Sequence, residues 1–325
     1  MSVSAANSRV DWLLFLLLGF MWGSSYLFIK IGVVAGLQPL TLITARLLIG
    51  AALLAVVVGM AREPLPRGIK AYAKLSVLGF FGIALPFDLI TWAEASVDSA
   101  LAAVLVSPVP IVVIPFAALL LRDERLTPAK LIGVLVGLVG VAILVGFDPT
   151  SIGQADFVAE LALVGATVSY AFAGVYARRF ITGYRPMIPA LFEVTTALAM
   201  IGVLAFVFEK PLDAPITFNS VVAVVWLGLL GSGFAFLVFF RLINRWGATR
   251  TSLVAYLMPV WGIVLGAAVL SEPVTAERIA GTGLVVGGIA MVNVRLDQIA
   301  GALNALRGRN APEAEAAADA VTEQR

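Results

Sequence analysis

Ten apolar runs follow one another along this chain, at 12–35, 39–60, 72–93, 98–121, 127–146, 157–179, 186–208, 218–243, 249–270 and 276–296. Each reaches the ~20 residues with which a helix crosses the ~30 Å hydrocarbon layer of a bilayer. The breaks are short; the longest, 61–71 and 147–156, are about ten residues, too few for a soluble catalytic or regulatory domain. Hydrophobic residues make up 61% of the chain and charged ones 13%, so no water-soluble fold covers the apolar surface. The runs lack the period-2 alternation of a membrane barrel. In hydrocarbon each backbone amide needs a partner within its own segment, so helices remain. The fold class read from the sequence is therefore an all-α membrane protein with ten transmembrane helices. The first run is too long for the core of a secretory signal and has a counterpart later in the chain, so it reads as a retained helix.

The basic residues set the orientation. With ten spans and a cytoplasmic N-terminus, eighteen of the 22 Lys and Arg fall on the inner side. They include Arg62, Arg67, Lys70 and Lys74, then Arg122, Arg125 and Lys130, then Arg178, Arg179 and Arg185, then Arg241, Arg245 and Arg250. Only Lys30, Lys210 and Arg278 fall outside, and Arg46 lies within a span. This asymmetry is the positive-inside pattern, and it predicts both termini on the cytoplasmic side of a cell (inner) membrane. Residues 297–325 read as an Ala- and Glu-rich, disordered cytoplasmic tail.

Two missing residue types narrow the chemistry. The chain has no Cys and no His. That excludes disulfides, thiolate and imidazole metal ligands, Cys nucleophiles and His bases. No Lys follows a Gly, so there is no phosphate-binding loop of the ATPase kind. A net charge of +2 is too small to suggest nucleic-acid binding. The expectation is a protein that is not an enzyme, with no cofactor, no metal and no nucleic-acid partner. Its partners are the lipid bilayer and a small-molecule substrate; the sequence leaves the oligomeric state open.

The chain also repeats itself at an offset of 148 residues. Segment 121–127 corresponds to 269–275, Gly133 to Gly281, Gly140 to Gly288, Trp22 to Tyr170 and Lys30 to Arg178. Gly79 and Gly82 meet Gly228 and Gly231 after one residue of slippage. Each half, 12–146 and 157–296, holds five runs. Five is odd, so the second half enters the membrane upside down. Inverted repeats of this kind support alternating access, with a substrate site near the bilayer midplane between the halves. Duplication that preserved only a scaffold has the same signature, and some channels share it.

Several motifs together resemble the EamA family of the drug/metabolite transporter superfamily. They are Trp22-Gly23-Ser24-Ser25 followed by Lys30, Pro39 with Arg46, and two half-endings. Each half-ending runs from a proline-bearing helix through Glu-x-x-Thr to a Gly-rich closing helix, Pro108 to Gly140 and Pro259 to Gly288. The resemblance covers residues 12–296. It implies a ten-helix secondary carrier, often an exporter of amino acids or other small metabolites, without naming the solute.

Ionisable groups inside spans are costly unless paired or wet, and so are functional candidates. Arg46, Asp88 and Lys30 all fall in the outer leaflet, where Asp88 can pair with Arg46 or Lys30. That pair reads equally as a helix clip and as a proton-sensitive gate. Glu193 lies near the inverted counterpart of Arg46, within snorkelling reach of Arg241 or Arg245. Asp88 and Glu193 are the two acids clearly inside spans and the candidates for proton coupling; a facilitator without a coupling ion is the alternative. Glu124 and Glu272 sit at helix starts, where Thr127 and Thr275 can cap. Pro108, Pro110, Pro115 and Pro259 are expected to kink their helices and free carbonyls toward a cavity. The expected substrate-binding residues are Trp22, Ser24, Ser25, Phe87, Trp92, Ser107, Ser169, Tyr170, Phe236 and Tyr256, with Trp22 and Tyr170 facing each other. Aromatic faces with nearby hydroxyls suit an amphipathic organic solute. The functional expectation is a secondary active transporter, an exporter of a small organic metabolite such as an amino acid. The alternative is a passive channel.

Overall fold

The computed structural model describes residues 9–93, 105–106, 108–121, 127–144, 149–151, 157–270 and 275–293. Among these the protein is wholly helical. The first half begins with α1 (Arg9–Val34) and α2 (Pro39–Met60). Next comes a continuous rod of α3 (Ile69–Gly79), a π-helical stretch π1 (Phe80–Ala84) and α4 (Leu85–Ala93). α5 (Val109–Leu120) and α6 (Pro128–Leu144) complete it. The second half repeats the plan: α7 (Phe157–Phe180), α8 (Met187–Phe208), then a rod of α9 (Phe218–Trp226), π2 (Leu227–Phe234) and α10 (Ala235–Trp246). The short α11 (Ala248–Ser252), α12 (Val254–Leu270) and α13 (Ala276–Asn293) follow. Six rods are long and apolar enough to cross a membrane: α1, α2, Ile69–Ala93, α7, α8 and Phe218–Trp246. α5 and Pro128–Ile143 are shorter apolar helices.

Local chemistry sets the helix ends. Pro39 starts α2, where a missing N–H costs nothing. Thr217 and Ser220 form a reciprocal capping box at the start of α9. Thr127 and Thr275 accept the backbone N–H of Lys130 (3.3 Å) and Arg278 (3.4 Å), matching caps at equivalent places in the two halves. Glu124 and Glu272 lie outside the described residues. Gly247, at φ +84°, turns the chain between α10 and α11 with a backbone that side chains rarely adopt.

The halves are joined by exchange. α1 packs on α12, and its counterpart α7 packs on α5. α1 also lies along the α9–π2–α10 rod, as α7 lies along α3–π1–α4. The second helix of each half contacts the π-containing rod of the other, and α2 pairs with α8 and α6 with α13. These counterpart pairs run antiparallel. Glu209, just past α8, accepts the N–H of Leu40 (3.0 Å) and Thr41 (2.7 Å) at the start of α2. At the other end Glu63, past α2, pairs with Arg185 before α8 at 3.0 Å. In the closing pair, a Cβ at Gly133 would stand 2.8 Å from the Gly288 carbonyl oxygen, and one at Gly140 2.7 Å from the Val285 nitrogen. Only glycine allows backbones so close.

Apolar side chains fill these interfaces. Leu47, Leu54, Leu75, Ile83, Ile188 and Val194 gather where α2, α3–π1 and α8 meet. Phe15, Leu18, Leu257 and Val285 gather around α1, α12 and α13. Leu119, Val203 and Phe208 are 83%, 62% and 73% exposed, the signature of faces turned to lipid.

The prolines of the 98–121 run sit at different places in the helix. Pro108 and Pro110 stand at the start of α5, and the Pro108 carbonyl accepts the N–H of Ile111 at 2.8 Å. Only Pro115 is internal there. In the 98–121 run, 98–104 and 107 lie outside the described residues. The run at 249–270 is interrupted at Leu253, between α11 and α12, six residues before Pro259, which sits inside α12.

Candidate functional site

The two π-helical stretches are the organising feature. A π turn bonds residue i to i+5, so it widens the helix and leaves a carbonyl without its usual partner. A carbonyl of each stretch is bonded from the opposite half. In π2 the Gly231 oxygen accepts the Trp22 indole N–H at 3.2 Å. In π1 the Phe81 oxygen accepts the Ser169 hydroxyl at 2.6 Å. Each bond thus ties the first helix of one half to the π stretch of the other.

Each π stretch also receives a buried charge from the second helix of the other half. Arg46, on α2, is 5% exposed, and its Nε donates to Ser232 Oγ in π2 at 3.0 Å. Its guanidinium lies over the Phe87 ring, 5.6 Å from the centroid. A Cβ at Gly231 would stand 2.9 Å from Arg46 Nη2 and 3.0 Å from Ser25 Oγ. Tyr170 is within electrostatic reach of the guanidinium. In the mirror place Glu193, on α8, is 2% exposed and its Oε1 lies against Gly82 of π1. Its Oε2 is buried without a hydrogen-bond partner among the described residues.

Several expected partnerships are replaced. No ion pair joins Asp88 to Arg46 among the described residues; Arg46 is taken by Ser232 and Phe87. Asp88 Oδ1 is buried and has no hydrogen-bond partner among the described residues. The Lys30 side chain and Ser107 lie outside the described residues. Arg241 and Arg245 do not reach Glu193. They converge on Asp11 of α1, at 3.6 and 3.0 Å, which is 1% exposed. Asp11 stands in the first turn of α1.

The aromatic residues divide among separate places. Trp22 packs on Phe236 (5.8 Å between centroids) and Phe239 (5.4 Å) beside π2. Tyr170 packs instead with Val109, Val113 and Ala171. Ser24 donates to the Met21 carbonyl at 3.1 Å and accepts the Trp226 indole at 3.1 Å. Ser25 donates to the same carbonyl at 2.9 Å. Trp92 is 54% exposed. Tyr256 is fully buried, its hydroxyl donated to the Val134 carbonyl at 3.0 Å and its ring set against Gly137, so it locks α12 to α6. The structure thus brings Trp22, Ser25, Arg46, Phe87 and Phe236 together around π2, and Ser169 and Glu193 around π1.

Sequence reasoning missed Ser232, Phe239, Asp11 and Glu209. A signal for the π stretches was present: the glycine pairs Gly79/Gly82 and Gly228/Gly231 match only after a one-residue slip. An extra residue within a helix is accommodated as a π turn, and π2 is eight residues against five in π1.

Antiparallel counterpart helices, exchanged partners and charges buried in apolar rods define a multi-pass helical membrane protein built from two copies of one plan. Comparison with known proteins agrees. The model of the EamA-like transporter family matches twice, at residues 11–146 and 157–294. The uncharacterized transporter YoaV of Bacillus subtilis is 28% identical over 277 residues, covering 83% of this chain and 92% of its own. The uncharacterized inner membrane transporter YedA of Escherichia coli K12 is 26% identical, covering 84% and 87%. A solved crystal structure superposes with a TM-score of 0.74 at 25% identity, over 87% of this chain and 96% of the other. The chain belongs to the EamA-like transporter family and is a membrane transporter.

Proposed function

We propose that the protein is a secondary active carrier that exports a small organic metabolite such as an amino acid by alternating access between two inverted repeats, 12–146 and 157–296. In this reading there are ten spans, both termini are cytoplasmic, and the protein sits in the cell (inner) membrane.

The observation that carries the reading is the exchanged packing of the halves. The main contacts between a helix of one half and a rod of the other come in counterpart pairs, and in each half the first helix donates a side-chain hydrogen bond to the π stretch of the other, from Trp22 to π2 and from Ser169 to π1. Two interfaces of the same plan can therefore trade conformations, one closing as the other opens. A stack of static helices has no need of the same junction twice. Buried Arg46 and Glu193 supply the polar groups a membrane site needs, and Trp22, Phe87 and Phe236 the apolar surface.

The test is counterflow in proteoliposomes with a panel of amino acids. Saturable uptake accelerated by unlabelled solute inside is expected. Flux linear in concentration, with no such acceleration, would identify a passive channel and end the carrier reading. Orientation is checked on the same chain, which has no cysteine of its own. Single cysteines at Arg62 and Lys210 should label from opposite faces of the membrane.

A further inference from the structure

The geometry points to Arg46 as the anchor for a carboxylate group of the transported solute; this rests on the carrier reading above for its role in transport, though not for its binding chemistry. Arg46 lies seven residues into α2, at ~10 Å from the helix start given ~1.5 Å rise per residue. The described ion pairs join Glu63 to Arg185 and Asp11 to Arg241 and Arg245. None among the described residues includes Arg46. Arg46, 5% exposed in an apolar rod and without an ion pair among the described residues, is a buried charge for which they supply no counter-charge.

The way it is held leaves one edge for a ligand. Nε donates to Ser232 Oγ at 3.0 Å and the Phe87 ring covers one face at 5.6 Å. The remaining fork, Nη1 and Nη2, has no protein hydrogen-bond partner among the described residues. Two parallel N–H groups in a plane match the two oxygens of a carboxylate. Gly231 borders that fork, and a Cβ there would stand 2.9 Å from Nη2. Ser232 and Phe87 thus fix the plane and glycine leaves its edge uncovered, as a pre-set anion receptor requires.

Glu193 does not neutralise this charge. α2 and α8 are antiparallel, each 22 residues, with their ends clipped at Glu209–Leu40 and Glu63–Arg185. At ~1.5 Å per residue, Arg46 and Glu193 leave their helices about 12 Å apart along the axis. Their side chains turn to different rods, π2 and π1. The class assigned to Arg46 is therefore a carboxylate end, whatever the rest of the solute carries.

The experiment is thermal stabilisation of the purified full chain in detergent by L-leucine, L-phenylalanine and hexanoate, each beside its carboxamide. The wild type is expected to bind carboxylates tighter than carboxamides by on the order of tenfold or more, the worth of charge-assisted hydrogen bonds. R46Q should erase the preference. R46K, which keeps the charge and loses the fork, should retain part of it. S232A, which keeps Arg46 and frees its Nε, should weaken it severalfold, and serves if R46Q does not fold. Equal binding of both series, or a preference that survives in R46Q, overturns the assignment. So does chloride giving the same Arg46-dependent stabilisation at equal concentration. A carboxylate preference without counterflow would leave the binding site standing and remove the carrier reading instead.

Discussion

Alanine at Gly82 tests the mirrored half of the site. Its Cβ would overlap Oε1 of Glu193, stand 3.1 Å from Glu193 Cδ and 3.5 Å from the Ala173 Cβ. The carboxylate cannot retreat to water, because Glu193 is 2% exposed. Two terms compete. Alanine for glycine in a helix gains up to about 1 kcal/mol. Forcing an extra methyl into a packed interior costs about 1–3 kcal/mol. G82A should therefore destabilise by up to about 2 kcal/mol net. In an E193A background the overlap is gone and only the helical gain remains. The coupling between the two sites equals the overlap term alone, about 1–3 kcal/mol, independent of propensity. The assay is reversible unfolding in mixed micelles for wild type, both single variants and the double variant. Gly174, which has nothing within 4 Å of its would-be Cβ, is the control, and G174A should be neutral or stabilising. Equal cost of G82A with and without Glu193 would refute the packing of α8 into π1.

Other outcomes follow from single contacts. Y256F removes the hydroxyl donated to Val134, and should cost about 0.5–1.5 kcal/mol in unfolding measurements while leaving the transport KM unchanged; a raised KM would return Tyr256 to the substrate site. D11N leaves Arg241 and Arg245 without their shared carboxylate. Because those arginines are 43% and 38% exposed, the loss should be about 1–3 kcal/mol, below that of a fully buried pair, and a change within error would show the cluster to be inert. E209A strips the cap from α2 and should lower stability by about 1 kcal/mol. The Leu40 and Thr41 amide protons should exchange faster than in wild type, and unchanged exchange would contradict the cap.

Residue types and their spacing made the helical class, the two halves and their counterpart positions legible. Apolar runs of span length admit little besides helices, and the counterpart pairs α2–α8 and α6–α13 run antiparallel in the structure. Arg46 and Glu193 stood out because ionisable residues are rare where water is absent. Their partners did not. Depth in a span, read by counting residues, says which leaflet a group occupies and nothing of which rod it faces. Hence depth and reach alone match Asp88 to Arg46 or Lys30, and Arg241 or Arg245 to Glu193. The choice of Ser232, Gly82 and Asp11 belongs to helix rotation and crossing, which depend on the close glycine contacts and on where two π stretches widen the turn. Those are sums over many weak contacts across 150 residues of separation, and no local pattern in the chain encodes them.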